Sequence, residues 1–236
     1  MEATVKPKTE AHKRWNKVYS EGFMTMWYPH EDIIRFCARL IQRKLTHDRY
    51  EVKRKVERVL DLGCGNGRNA MYFARQGFSA SGLDVSTQAI EWAKDWSKRE
   101  GLEIDFRVGD IEQLPFENET FDVVVSHGVL DHVPMPTARN AATEVHRVLK
   151  PGGLFYCDLR STEDFEFGEG EEVAPNTFVV SEGFEQGLVQ HFFSEDETKA
   201  LFDGLFGIIY SEIAESRLGP DFKRKYSRWV FATEKL

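Results

Sequence analysis

The stretch VLDLGCGNGRNA, from Val59 to Ala70, decides the fold. An apolar run enters a turn with glycine at positions 63, 65 and 67 and leaves it as a helix-like segment. Glycine lets a backbone turn at positive φ and lets a ligand touch it, because no Cβ stands in the way. A turn from a strand end into a helix also exposes unpaired N–H groups. Downstream the same rhythm repeats. SASGLDV ends near Asp84, IDFRVGD ends at Asp110, FDVVVSH is nearly all apolar, and LFYCDL is a fifth strand candidate. Between them RNAMYFARQ stops at Gly77, TQAIEWAKDWSKRE is capped by Ser86 and stopped by Gly101, and ARNAATEVHRVL precedes the turn KPGG. Strand and helix alternate from about residue 58 to 160, which predicts a doubly wound α/β sheet, mostly parallel, with helices on both faces. GIIYSEIAE and YSRWVFATEK predict two closing strands, so that the sheet carries a C-terminal antiparallel strand.

Open α/β sheets bind ligands at the carboxyl ends of their strands. Here three consecutive strands deliver the glycine turn, Asp84 and Asp110 to that edge. A carboxylate about twenty residues beyond the glycines can accept both ribose hydroxyls. A dinucleotide site favours G-x-G-x-x-G, whereas position 68 is Arg68. Asp61, two residues before the turn, would repel a pyrophosphate and suit a cationic amino group.

With these residues in view, VLDLGCGNG, GLDVS, GDIEQLPFENETFD and EVHRVLKPGG resemble the successive motifs of class I S-adenosylmethionine-dependent methyltransferases. The resemblance covers residues 56–160 and implies a Rossmann-like fold with S-adenosylmethionine as methyl donor and S-adenosylhomocysteine as product. It implies that Asp61 and the turn Gly63, Cys64, Gly65, Asn66 and Gly67 hold the methionine part. Asp84 would bind the ribose, with Val85 against the adenine; Asp110 would accept the adenine amino group, with the Ile111 N–H on a ring nitrogen. Ser126 and His127 would line the transfer site. GCGNGRNAMYFARQG further resembles the small-molecule branch that includes tellurite-resistance and thiopurine methyltransferases.

A sulfonium donor needs orientation and exclusion of water above all. A general base is needed only for a protonated acceptor; a thiolate or chalcogenide needs none. The candidate catalytic residues are His127, Asp131 and His191, while His132 reads as structural before Pro134. His12, His30, His47 and His146 read as surface residues. Trp15, Tyr19, Trp27 and Tyr28 are expected as an aromatic lid or as a packed helix, and Arg68 as a partner for an anionic group or a solvated side chain. Tyr226 and Arg228 read as structural. PHEDIIRFCARLIQRKL predicts one amphipathic helix opened by Pro29, with Ile33, Ile34, Phe36, Cys37, Leu40 and Ile41 inward. The division expected is a lid or cap segment over 1–55, its first twelve or so residues polar, and a catalytic domain over 56–236. Residues 161–192 are the expected specificity insert, with an acidic run over 161–176, and SEDE has capping-box form.

The net charge of −8 argues against nucleic acid or an anionic membrane as partner. The three cysteines, Cys37, Cys64 and Cys157, fit no zinc or disulfide spacing and point to a reducing compartment. There is no apolar run of membrane-spanning length and no secretory pattern in MEATVKPKTEAHKRW, so a cytoplasmic protein acting on a small molecule, without a metal, is expected. Two other readings stand beside this one. The basic run RKLTHDRYEVKRKVER would suit a tRNA or RNA methyltransferase, against which the acidic total weighs. A non-catalytic S-adenosylmethionine-binding regulator would show no turnover, and the retained cofactor motifs beside His127 weigh against it.

Overall fold

The computed structural model describes residues 10–23 and 26–236. The polar N-terminus expected over the first dozen residues lies, for 1–9, outside the described residues. Helix α1 is Glu10–Ser20 and α2 is Glu31–Phe36. The single long helix expected after Pro29 does not form. His30, not Pro29, caps α2, its ring nitrogen accepting the Asp32 N–H at 3.4 Å, and the chain widens into a π turn over Cys37–Ile41. Strands β1 (Gln42–Lys44) and β2 (Tyr50–Val52) then form an antiparallel hairpin. The Ile41 carbonyl accepts the N–H groups of Lys53 and Arg54, which folds the hairpin back onto the helix end. Ile34 is exposed, since the helix is too short to turn a second stripe inward. The basic run is largely exposed, and within it Arg43 pairs with Glu51 at 3.1 Å and Arg54 with Glu234 at 2.8 Å.

The central rhythm follows as expected: β3 (Arg58–Leu62), α3 (Arg68–Arg75), β4 (Ser79–Asp84), α4 (Thr87–Arg99), β5 (Asp105–Val108) and β6 (Phe121–Ser126). Helix α5 (Met135–Val148) follows its N-cap Pro134 and starts three residues before the apolar stripe suggests, because its first turn takes in Pro136, where proline is favoured. It runs into β7 (Leu149–Arg160). The insert is not a plain acidic loop. It holds β8 (Glu171–Ala174), β9 (Thr177–Val179) and β10 (Val189–His191), an antiparallel sheet in the order β10-β9-β8. Helix α6 (Glu195–Phe202) carries the expected capping box, Ser194 with Glu197. Strands β11 (Phe206–Leu218) and β12 (Arg224–Lys235) close the chain.

The main sheet has seven strands in the order β11-β12-β7-β6-β3-β4-β5. Strands β7, β6, β3, β4 and β5 are parallel, and β12 is antiparallel to both of its neighbours. Alternation along β6 shows how both faces are covered. Val124 packs with Ala142, Val145 and Leu201 of α5 and α6, while Val123 and Val125 pack with Ile33, Phe36 and Phe73 of α2 and α3. The strand order reverses between β3 and β6, the position at which such sheets open a crevice.

Gly67 caps α3 at φ +87°, and a Cβ there would stand 2.8 Å from Phe106 Cζ and 3.1 Å from the Ala93 methyl. Gly67→Ala is expected to lower stability by about 2 kcal/mol or more, combining the left-handed backbone cost with overpacking. Urea denaturation measures this, and an unchanged midpoint would contradict the packing account.

Candidate functional site

The glycine turn is held from below by β4. Gly63 N–H and Cys64 N–H both donate to the Leu83 carbonyl, at 2.7 and 2.9 Å. Gly65 N–H donates to Asp84 Oδ2 at 2.8 Å, and Ser86 N–H donates to Asp84 Oδ1 at 2.8 Å. Asp61 stands behind the turn, where its Oδ2 accepts the Ala70 N–H in the first turn of α3 at 3.0 Å. Burial pushes the Asp61 carboxyl up to about 7 and that of Asp84 up to about 6. Positive φ requires glycine at 63 and 65, and space requires it too. A Cβ would collide with Val129 at position 63 and with the Tyr19 hydroxyl at position 65.

Above this turn lies a cavity of about 320 Å³, large enough for a small ligand. Gly63, Cys64, Gly65 and Asn66 form its floor, with Asp84 and Val85 beside them. Asp110 and Ile111 line the next stretch of wall, followed by His127. Trp15, Tyr19 and Arg68 complete the set of sequence candidates that meet there. Burial lowers the Arg68 pKa, and its Nη1 lies 3.5 Å from the sulfur of Met26, another lining residue. Gly67 and Ser126 do not line the cavity: Gly67 packs on Phe106, and Ser126 is buried in β6. Neither does Asp61, which serves the cavity only through the turn it braces.

Several expected residues are elsewhere. Asp131 is wholly buried and bonded to Arg228 Nη2 at 2.7 Å; burial alone would raise its carboxyl, but the Arg228 guanidinium brings it below the usual range. A carboxylate locked in this way is not a general base. His191 is buried in β10 with Nδ1 2.8 Å from Thr177 Oγ1, and it does not line the cavity. Trp27 sits edge-on against Trp96 of α4, and Tyr28 is exposed; neither covers the cavity. Conversely His132, read as structural, lines the cavity, edge-on to Trp15 at 5.0 Å.

Sequence reasoning missed His30, Asp158 and the role of Arg228. The His30 ring lies over the His127 ring, with centroids 3.7 Å apart. Burial, and then the neighbouring His127, lower His30 to about 4. His127 Nδ1 lies 3.1 Å from Asp158 Oδ1, an ion-pair contact set off the line of a straight hydrogen bond. Asp158 Oδ2 accepts Arg228 Nε at 2.6 Å. The signal was present in YCDLR, where the fifth strand delivers a carboxylate to the same edge as Asp84 and Asp110.

Residues 60–157 match the family described as a methyltransferase domain. Among solved structures, an S-adenosylmethionine-dependent methyltransferase from Methanosarcina mazei is similar over 78% of this chain and 94% of its own, with 26% identity and a TM-score of 0.66. Residues 60–157 form a methyltransferase domain, and the fold around them is that of an S-adenosylmethionine-dependent methyltransferase. The curated relatives agree with this methyltransferase domain. A ubiquinone biosynthesis O-methyltransferase of Maricaulis maris is 40% identical over 101 residues, 42% of this chain and 39% of the relative. A phthiotriol/phenolphthiotriol dimycocerosates methyltransferase of Mycobacterium tuberculosis is 40% identical over 121 residues, 50% of this chain and 43% of the relative. The matched regions thus span about two fifths of those relatives' length. The glycine cradle and the Asp84 carboxylate at its edge fit the methyl donor of this family: a Cβ would fill the cradle, and both are on the cavity wall.

Because Asp61 titrates higher in the folded chain (about 7) than its ordinary value of 3.8, the folded state holds this proton between those limits. Its contribution to stability is therefore complete below 3.8 and is lost as pH rises through about 7. Asp61→Asn retains an acceptor for Ala70 N–H and removes the titration. The variant is expected to gain on the parent by up to about 1.4 kcal/mol per pH unit between pH 5 and 7. Parallel stability curves across that range would sink the assignment.

Proposed function

We propose that this protein transfers a methyl group from S-adenosylmethionine to a hydroxyl oxygen of a small molecule. The single observation that carries the proton-accepting part is His127, on the cavity wall with a buried carboxylate behind its Nδ1. The O-methyltransferase named among the relatives supports an oxygen acceptor. When bound, the donor supplies an electrophilic methyl group on a positively charged sulfur and remains as S-adenosylhomocysteine.

The chain's own residues bind, orient and exclude water. Asp84 accepts the ribose hydroxyls with the lone pairs that Gly65 and Ser86 leave open, and Val85 packs against the adenine. Asp110, exposed at the end of the third strand, accepts the adenine amino group, with the Ile111 N–H on a ring nitrogen. Arg68 faces the donor's carboxylate or an anionic part of the acceptor. His127 takes the proton of the acceptor hydroxyl, a contribution on the order of 10²–10⁴ in rate.

The segment before residue 56 acts as a cap and 56–236 as the catalytic domain. Trp15 and Tyr19 support this division, since both line the cavity from α1. Asn16 Oδ1 ties α1 to the catalytic domain by accepting the Ser86 hydroxyl at 2.8 Å and the Gln88 N–H at 3.2 Å. The insert over 161–192 sets acceptor specificity, in support of which the Val189 carbonyl stands 3.3 Å from Nδ1 of the lining residue His132. A reducing, cytoplasmic setting is supported by three free cysteines, all buried, and no helix among the described residues is long and apolar enough to cross a membrane.

Asp84→Ala is expected to weaken S-adenosylmethionine binding by about 1–3 kcal/mol in calorimetry, the scale for losing charge-assisted hydrogen bonds. The charged Asp84 binds hydroxyls best, so donor affinity of the parent is expected to fall as pH drops through about 6. A pH-independent affinity that Asp84→Ala leaves unchanged would refute the ribose assignment. In a turnover screen of phenols and catechols, release of S-adenosylhomocysteine is expected, and His127→Gln should slow it with donor affinity retained. Equal turnover in the variant would remove His127 from the reaction.

A further inference from the structure

Asp158 is wholly buried at the carboxyl end of β7, and it is held from three sides. The Gly128 N–H donates to Oδ1 at 2.8 Å, Arg228 Nε donates to Oδ2 at 2.6 Å, and His127 Nδ1 lies 3.1 Å from Oδ1. Arg228 is itself gripped from behind, since its Nη2 donates to Asp131 Oδ2 at 2.7 Å. Arg160 Nε stands 3.7 Å from that same Asp131 oxygen, and Arg160 also pairs with Glu166. The chain of charges therefore runs His127, Asp158, Arg228, Asp131, Arg160, Glu166, from the cavity wall to the insert.

The arrangement has a direction. Buried ions persist only when paired, and here each interior guanidinium lies between carboxylates. Carboxylates outnumber guanidiniums in this group, four to two with Asp164 at 3.9 Å from Arg160 Nη1, so the group favours a positive charge at the His127 end. Charged and titratable groups on other elements also face His127. His30 at the start of α2 stacks on its ring, Asp32 of α2 and Asp61 of β3 interact with it electrostatically, and Arg68 of α3 lines the same cavity. The stacked His30 ring stays neutral near pH 7, so His127 is the member of that pair free to take the proton.

We propose that Asp158 is the positioning residue for His127: it fixes the proton of the neutral imidazole on Nδ1, making Nε2 the atom that accepts a proton, and Arg228 anchors Asp158 from behind. This rests on the reading of His127 as the group that receives the acceptor's proton. The proton leaves the acceptor hydroxyl, resides on Nε2 while Nδ1–H stays on Asp158, and returns to water once the product has left. A thiolate acceptor would have no use for this arrangement, so it assigns the site to acceptors that carry a proton in their resting state.

The test is nitrogen-15 NMR of the histidine rings in the full chain, with His127 assigned by the signal lost in His127→Gln. In the parent protein at high pH, the neutral His127 is expected as the Nδ1–H tautomer. An Nε2–H tautomer overturns the proposal without any variant having to fold. Asp158→Asn, nearly the same shape, is expected to lower the His127 midpoint by one pH unit or more, a tenfold change in proton affinity, and Asp158→Glu to recover part of it. A midpoint that does not move in Asp158→Asn also overturns the proposal. Calorimetry with S-adenosylmethionine on the same parent sample reports the donor site separately. Absence of heat there would sink the proposed function, whereas donor binding with the wrong tautomer would sink only the role of Asp158.

Discussion

One carboxylate joins the two turns on which the site is built. Asp84 accepts the Gly65 N–H with one oxygen and the Ser86 N–H with the other, each at 2.8 Å. The first bond fixes the turn after β3, and the second fixes the turn after β4 where α4 begins. Such bonds to an ionised acceptor are about twice as strong as neutral ones, and burial strengthens them further. The Leu83 carbonyl adds two more contacts to the same glycine turn. The cavity floor is therefore a rigid backbone surface rather than a set of side chains. Glycine is needed along it because Val129, Tyr19 and Phe106 already press against the turn.

Behind His127 on the opposite wall lies a group of buried charges, and topology explains how it assembles. The parallel strands all end at the cavity edge, so each contributes its last residues. Strand β12 runs the other way beside β7, so its early residues reach that edge. Arg228, paired in register with Arg160, arrives there among the carboxylates of Asp158 and Asp131. Burial would penalise each of these charges alone; together they hold one another ionised. The insert attaches to the same region through Glu185 and the Val189 carbonyl beside His132. This links the part of the chain that departs most from the repeating βα pattern with the wall nearest His127.

The glycine turn, Asp84, Asp110 and the alternation of strands were legible in the chain because each is a local statement. A strand buried on both faces reads as FDVVVS, a capped helix reads as Ser86 followed by an apolar stripe, and both recur at fixed spacing. The insert's strands escaped notice because they are three or four residues long and lie in an acidic composition that resembles a loop. The hairpin of β1 and β2 escaped because the apolar stripe before it continues past Ile41 in sequence, while the helix opens into a π turn there.

The sequence by itself determined the sheet, its carboxyl edge and the class of ligand that a bare glycine turn with neighbouring acids can hold. Only the tertiary structure decided where each histidine stands. His127, His132 and His191 have similar local surroundings, yet one is buried against Thr177, one meets Trp15, and one stands between His30 and Asp158. The reason is physical: backbone patterns follow from neighbours a few residues apart, whereas proton affinity and access depend on charges and solvent. Those are set by contacts such as Arg228 with Asp131, 97 residues away in the chain.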